Sequence, residues 1–169
     1  MPAKPAAMKR RSIRLPGFDY AQAGAYFVTI VTYQRSSLFD AADLRQAAEM
    51  AWQSIPLHAS RARLDAWILM PNHLHGILVI TNVHTGLEAP AGDGAPLLVP
   101  HSLGAIVGSF KSVSARRINQ LRQMPGEPVW QRNYYEHVIR DDDEMQRIRL
   151  YIAENPAQWA LDSENPLAV

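Results

Sequence analysis

The clearest alternation of apolar and polar positions in this chain lies at residues 70–80, which read MPNHLHGILVI. The run is apolar apart from Asn72 and the two histidines, and its length and β-branched residues predict a strand over His73–Thr81. Successive side chains of a strand point to opposite faces, so His73 and His75 share one face and Gly76 lies on the other.

The same analysis predicts three more strands and three helices. Strands are inferred from β-branched and aromatic runs, and helices from apolar residues three and four apart. In chain order they are strand Ala25–Tyr33, a helix capped by Asp40–Asp43 that runs to about His58, strand Arg63–Met70, the histidine strand, a helix capped by Ser102 with Leu103, Ile106, Val107, Phe110 and Val113 facing inward, strand Tyr134–Arg140, and a helix with acidic residues Asp141–Glu144 in its first turn that stops at Asn155-Pro156.

The order of these elements predicts the fold class. Two strands joined only by Pro71 and Asn72 must form an antiparallel hairpin. Strand, helix, two strands, helix and strand, in that order, are typical of a ferredoxin-like α+β fold. We therefore expect an antiparallel sheet with two helices on one face and an additional, tyrosine-bearing helix at the C-terminal end.

Composition indicates one domain. The chain has 169 residues, of which 47% are hydrophobic, and a single core accounts for that length. It has no cysteine, which excludes disulfides, thiolate metal sites and cysteine nucleophiles, and fits a cytoplasmic location. No apolar run approaches a membrane span. The expected parts are a basic arm at 1–17, a domain at 18–160 with a Gly-, Pro- and Ala-rich loop at 82–101, and a tail at 161–169.

Basic residues are concentrated in two stretches, although the net charge is only +1. Residues 1–17 contain five basic residues and no acid, and residues 102–135 contain five against Glu127 alone. Segregated charge of this kind is typical of a phosphate-binding surface, although an ordinary solvated surface can show the same pattern. The candidate contacts to a nucleic-acid backbone are Arg10, Arg11, Arg14, Lys111, Arg116 and Arg117.

The histidine pair and two residues of the last helix form a candidate reaction centre. Two imidazoles on one face supply half of a divalent-metal site, although a single buried histidine is more often a hydrogen-bonded core residue. Tyr151 and Asn155 are four residues apart and share one face of a helix. Two histidines and an amide oxygen suit Mg²⁺ or Mn²⁺, and a neighbouring phenol is a candidate nucleophile. A core tyrosine and a helix-capping asparagine are the alternatives.

Other residues compete for these roles. Tyr134 and Tyr135 also lie near basic residues, but as neighbours on a strand they face opposite sides, so only one could reach the site. Neither has an amide partner at helical spacing. His137 on the same strand is more typical of a residue that positions a neighbour than of a metal ligand.

Short motifs follow one another along the chain: Arg11-Ser12-Ile13-Arg14, Tyr26-Phe27-Val28-Thr29, Met70-Pro71-Asn72-His73-Leu74-His75, Phe110-Lys111-Ser112, Trp130-Gln131, Tyr135-Glu136-His137 with Ile139-Arg140, and Tyr151-Ile152 with Asn155-Pro156. As an ordered set they resemble the REP-associated tyrosine transposases, which are relatives of the single-tyrosine HUH transposases of small insertion sequences. The resemblance covers roughly residues 10 to 160. The loop at 82–101 matches no family feature.

The resemblance implies an HUH endonuclease fold and a set of catalytic and metal-binding residues. His73 and His75 match the metal-binding pair, Tyr151 matches the nucleophile that forms a 5′-phosphotyrosine link, and Asn155 falls where the third metal ligand is placed. The implied activity is Mg²⁺- or Mn²⁺-dependent cutting and rejoining of single-stranded DNA near REP-type hairpins. The implied setting is the nucleoid, with the protein acting as a monomer or homodimer.

Two alternatives remain open at this point. A metal nuclease could use the same histidines with an activated water and no covalent intermediate. A hairpin-binding protein could retain the residues without turnover.

Overall fold

The computed structural model describes residues 18–82 and 101–159, apart from the side chain of residue 158. The predicted basic arm with Arg10, Arg11 and Arg14, most of the predicted loop and the predicted tail lie outside the described residues. The described elements are β1 (Gly24–Val31), α1 (Ala42–Gln53), α2 (Ile55–His58), β2 (Ala62–Leu69), β3 (His73–Ile80), α3 (Leu103–Leu121), β4 (Tyr135–Ile139) and α4 (Asp142–Gln158).

The strands form one antiparallel sheet in the order β2-β3-β1-β4. β1 lies in the middle, paired with β3 on one side and β4 on the other. The β2–β3 hairpin closes through a tight turn in which the Met70 amide donates to the His73 carbonyl at 2.8 Å. The predicted α+β class and ferredoxin-like arrangement are therefore confirmed.

The helices cover both faces of the sheet. On one face, α1 and α3 pack together over a core that includes Val28, Leu74 and Phe110. On the other face, α4 packs over a smaller cluster that includes Phe27 and Ile152. The odd-numbered residues of β3, among them both histidines, face α4. The candidate site therefore lies between the sheet and α4.

The predicted end of the last helix at Asn155-Pro156 is wrong, because α4 continues to Gln158 with Pro156 inside it. Proline lacks the amide that would donate to the carbonyl four residues earlier and normally ends a helix. In the last turn only one such bond is lost. The ring of Trp159 lies 5.7 Å from that of His73, and this packing holds the last turn against the sheet.

Three details of the other helices also differ from the predictions. The helix expected to reach His58 breaks after Gln53, because Pro56 cannot donate to a helical carbonyl. Its N-cap is Ala41, with no side-chain cap hydrogen bond from the predicted aspartates. Val113 of α3 was expected to face inward and is 41% exposed. The predicted Ser102 cap is confirmed, since its side chain accepts from the Ala105 amide.

None of the helices in the described ranges combines the length and apolar character that a bilayer crossing requires.

Gly76 lets the α1 layer approach the back of the histidine strand. A Cβ built on Gly76 would lie 2.5 Å from Cζ2 of the fully buried Trp52. Because Trp52 has no space to move into, Gly76→Ala is expected to lower the free energy of unfolding by about 1–3 kcal/mol. Urea denaturation measures this loss. Gly108→Ala on α3, where nothing lies within 4 Å of the added Cβ, is the control and should keep or raise stability. Equal stabilities of the two variants would contradict the argument.

Candidate active site

The two histidines of β3 are buried with their rings against each other. His73 is fully buried and His75 is 3% exposed. Their Nε2 atoms lie 3.0 Å apart, with ring centroids at 4.4 Å. The period-two alternation of the strand places them on one face, and the turn at Asn72 fixes the start of that strand. Two nitrogen atoms that can act as ligands therefore converge on one point under α4.

The other nitrogen of each ring is held by a neighbouring polar side chain. His73 Nδ1 donates to Asn72 Oδ1 at 2.8 Å, which leaves a lone pair on His73 Nε2. His75 Nδ1 lies 2.8 Å from the hydroxyl of Thr29, its cross-strand neighbour on β1. A hydroxyl both donates and accepts, so Thr29 serves either protonation state of His75. With Nδ1 protonated on both neutral rings, two Nε2 lone pairs converge as two cation ligands would; with Nε2 of His75 protonated instead, that nitrogen donates to Nε2 of His73.

The site suits a divalent cation in part. Two nitrogens about 2.1 Å from one ion, at right angles around it, would be about 3 Å apart, which matches the observed separation. The hydrogen bonds of both Nδ1 atoms are the kind that orient histidine ligands. In residues 18–82 and 101–159, however, no three His, Cys, Asp or Glu side chains form a metal-binding group. An ion here needs an amide oxygen, and also water or substrate oxygens, to complete its coordination.

Tyr151 lies over His75. Its hydroxyl oxygen is 3.3 Å from His75 Nε2, and the two ring centroids are 5.3 Å apart. Phe27 of β1 supports both rings from below, stacked on His75 at 5.5 Å and edge-on to Tyr151 at 6.1 Å. The Tyr151 side chain is still 44% exposed. The phenol is thus held at the histidine pair while it remains open to a molecule arriving from solvent.

Asn155 is buried between the two contacts that α4 makes with the histidines. Tyr151, Asn155 and Trp159 recur every four residues and so lie along one side of the helix. The first contacts His75 and the last contacts His73. Asn155 therefore lies on the side of α4 that faces the histidine pair, and its buried amide oxygen is a candidate for a further ligand.

An ion pair fixes the middle of α4 to the edge strand. Arg149 donates through Nε and Nη2 to the two carboxylate oxygens of Asp65, both at 2.7 Å. Asp65 lies at a β-bulge, where the pairing with β3 shifts between Leu64 and Trp67. The hydrogen bonds from Arg149 hold the pKa of Asp65 below its usual value, and the Ala66 amide adds to this. The bulge thus directs a carboxylate toward the helix that carries Tyr151.

A second contact holds the start of α4. Glu144 accepts from the Arg140 amide at 2.8 Å and lies 2.7 Å from Nε2 of His137. Its pKa is lowered, first by the amide of Arg140 and then by His137. Asp141 caps the helix by accepting from the Glu144 amide at 2.7 Å. His137 therefore positions a neighbouring helix end, the role that its place on the strand predicts.

The candidate DNA-binding residues of α3 lie on the layer opposite the histidines. Lys111 donates through Nζ to the carbonyls of Gln131 and Arg132, and burial lowers its pKa. Arg116 and Arg117 are exposed. The structure therefore places two exposed guanidinium groups on α3 and uses Lys111 to tie that helix to the segment before β4.

An open pocket of about 470 Å³ adjoins the His73 end of the site. It lies at the edge of β2, and Trp67, Arg45 and the final residue of the described chain, Trp159, contribute to its walls. Trp159, whose ring also contacts that of His73, separates this pocket from the histidine pair.

Several residues of the site were not predicted. Phe27 and Thr29 lie on the alternating face of β1, but no local signal pairs them with His75. Trp159 follows a proline that predicted the end of the helix. Asn72 directly precedes His73, and this proximity is the one local signal that pointed to its hydrogen bond.

Comparisons with known proteins identify relatives. No model of a protein family matches the chain. An uncharacterised protein of Haemophilus influenzae is 36% identical, over 90% of this chain and 91% of that protein. A second Haemophilus influenzae protein, assigned as a REP-associated tyrosine transposase, is 27% identical over 83% of this chain and 74% of its own.

Two solved structures share the fold. One, described as a REP-associated tyrosine transposase bound to a REP hairpin, has a TM-score of 0.58 and 20% identity, and covers 83% of this chain and 70% of its own. The other, assigned as a transposase of Deinococcus radiodurans, has a TM-score of 0.50 and 18% identity, and covers 83% of this chain and 97% of its own. At these identities the likeness concerns the fold.

Proposed function

We propose that this chain is a REP-associated tyrosine transposase, as its 27% identical relative is assigned to be, and that it cuts and rejoins single-stranded DNA through a covalent link to Tyr151. The proposed substrate is DNA beside a REP-type hairpin, because a structural neighbour with the same fold is described as bound to a REP hairpin. The proposed setting is the nucleoid in the cytoplasm.

The observation that carries the proposal is the position of the Tyr151 hydroxyl, 3.3 Å from His75 Nε2. An exposed phenol and two converging imidazole nitrogens meet within one chain, although they come from α4 and β3. This arrangement is what a phosphodiester needs for attack by a tyrosine, since the attacking oxygen and the groups beneath the phosphate are already adjacent. We propose that one chain contains a complete site.

The reaction proceeds by exchange at phosphorus. The Tyr151 oxygen forms a bond to phosphorus, and the bond to the 3′ oxygen of the preceding nucleotide breaks. The phenol loses its proton and the departing 3′ oxygen gains one, so charge and atoms balance. Attack of a 3′ hydroxyl on the phosphotyrosine reverses the step and rejoins a strand.

His73, His75 and Asn155 are the residues that would hold a divalent cation, Mg²⁺ or Mn²⁺. When bound, such an ion supplies Lewis-acid polarisation of a phosphodiester oxygen. Asn72 and Thr29 keep the two imidazoles turned toward each other, and Phe27 keeps the phenol above them. Because a phenol has a pKa of about 10, the residues around Tyr151 must also favour loss of its proton at the moment of attack.

Binding of the hairpin is expected to depend steeply on salt. The basic arm with Arg10, Arg11 and Arg14, together with Arg116 and Arg117, is proposed to contact phosphates. Replacing the three arm arginines with alanine should reduce the slope of log affinity against log salt by about 2, since each phosphate contact on a single strand contributes about 0.7. Fluorescence anisotropy at several salt concentrations measures the slope. An affinity that stays flat from low to physiological salt would exclude this assignment.

The direct test of the function is trapping of the covalent intermediate. The protein is incubated with Mn²⁺ and a hairpin oligonucleotide labelled at its 3′ end, then denatured and separated on a gel. A labelled protein band is expected, because the phosphotyrosine bond survives denaturation. Cleaved DNA with no labelled protein at any time would favour a hydrolytic nuclease. Binding with neither product would favour a hairpin-binding protein without turnover.

A further inference from the structure

Tyr135 is an exposed aromatic residue on the same face of the sheet as the histidines. Thr29 on β1 pairs directly with His75 on one side and with Tyr135 on the other. Directly paired residues point to the same face, so these three side chains form one row across the sheet. Tyr135 is therefore placed beside the site by the backbone pairing itself.

The aromatic cluster of the site continues to Tyr135. The ring of Phe27 lies 6.4 Å from that of Tyr135 and 6.1 Å from that of Tyr151. Phe27 is buried, whereas Tyr135 is 49% exposed and Tyr151 is 44% exposed. One buried ring thus supports two exposed tyrosines, and only one of them has its hydroxyl at the histidine pair.

The course of α4 explains why Tyr135 stays uncovered. The helix begins just after β4 ends at Ile139 and crosses toward β2. It therefore covers the Ile139 end of β4 and leaves the Tyr135 end open. An aromatic face exposed next to the proposed point of strand cleavage is suited to a flat, apolar group that belongs to the substrate.

We propose that Tyr135 stacks on an unpaired base of the DNA strand, next to the phosphate attacked by Tyr151. This inference rests on the proposed function and adds a contact that holds the DNA strand at the site of cleavage. Every base has an aromatic face, so the contact favours an unpaired nucleotide whatever its identity. Tyr135 is then a positioning residue for single-stranded substrate, while specificity for the hairpin comes from other contacts.

The test is a double-mutant cycle between the ring and single bases. Binding is measured without metal, in a Tyr151→Phe background that prevents turnover, to oligonucleotides that carry one abasic site at successive positions. Removing the base that stacks is expected to weaken binding about 5- to 100-fold at one position. Tyr135→Leu should cause the same loss with intact DNA, and the abasic penalty should then disappear. Tyr135→Phe keeps the ring and should bind within about twofold of the parent.

Two controls separate stacking from structural effects. Tyr135→Leu keeps an apolar cover over Phe27, so its thermal unfolding midpoint should match that of the parent. Leu57→Ala removes an apolar side chain that is 82% exposed on α2, on the other layer, and should leave binding unchanged. If the abasic penalty persists at full size in Tyr135→Leu, the proposal is overturned.

The outcome is distinguishable from failure of the proposed function. Covalent trapping on Tyr151 with no coupling at Tyr135 would remove the stacking contact and leave the strand-transfer chemistry intact. Coupling at Tyr135 without any trapped intermediate would support the stacking contact and contradict the proposed strand-transfer chemistry.

Discussion

Tyr151→Phe is expected to abolish the labelled protein–DNA band and to reduce strand cleavage by at least about 10³-fold, because removal of a covalent nucleophile leaves little of the rate. The substitution takes away only the hydroxyl that lies 3.3 Å from His75 Nε2. The ring keeps its contacts with Phe27 and His75, so the fold should be unchanged. Denaturing gels of a time course with 3′-labelled hairpin DNA measure both products.

Tyr135→Phe is the matched control for this experiment. Tyr135 is the other exposed tyrosine supported by Phe27, but its hydroxyl is not assigned to the chemistry. Removing that hydroxyl should leave the covalent band in place. Cleavage that persists undiminished in Tyr151→Phe would instead indicate attack by water. Loss of the band in both variants would contradict the assignment of Tyr151 as the nucleophile.

Replacing either histidine of β3 with alanine is expected to weaken Mn²⁺ binding by at least about 100-fold and to remove the covalent product. Loss of a ligand should exceed the 10- to 100-fold effect typical of residues that only orient one. Calorimetric titration with Mn²⁺ in the absence of DNA measures the affinity independently of activity. Thr29→Val, which removes the hydroxyl at His75 Nδ1, should show the smaller effect of an orienting residue.

His137→Ala is the control for histidine loss. His137 lies on the same face of the sheet but contacts Glu144 at the start of α4. Its removal should leave Mn²⁺ affinity unchanged. Because His73 and His75 are buried, thermal unfolding of each variant is measured alongside, and His73→Gln provides a less disruptive second replacement. Unaltered metal affinity in a folded His75→Ala variant would rule out the proposed cation site.

The sequence predicts the sheet and the histidine face well, for a physical reason. A strand has a period of two, so the spacing of His73 and His75 determines that they share a face wherever the strand lies. The short link through Pro71 and Asn72 leaves an antiparallel hairpin as the only connection. These inferences use local geometry alone, and the structure confirms them.

Two features of the structure depend on tertiary contacts that no local rule predicts. Pro156 predicts the end of a helix, but the packing of Trp159 against His73 carries α4 one turn further. The pairing of Asp65 with Arg149 depends on a bulge in β2, which interrupts the alternation that strand prediction relies on. Local patterns contain no information on either contact, because each joins segments far apart in the sequence.

The contact between Tyr151 and His75 could be predicted from the sequence only in part. Helical spacing places Tyr151 and Asn155 on one side of a helix, but it does not say which face of the sheet that helix covers. The family resemblance implied the meeting, and the structure shows the two groups adjacent in one chain. Their roles as nucleophile and cation ligands remain predictions for the experiments above.

The close fit of Trp52 against Gly76 has a consequence for how this protein tolerates deletions. The indole presses on one side of β3 directly behind the imidazoles on the other. Losing one residue from the turn at Met70–Asn72 would rotate the following strand by half a period. The imidazoles would then point into the hydrophobic core beneath α1, and a leucine side chain would lie next to Tyr151. Such a shortened protein should retain a sheet yet lack every catalytic property, which makes the length of this turn as important as the residues it precedes.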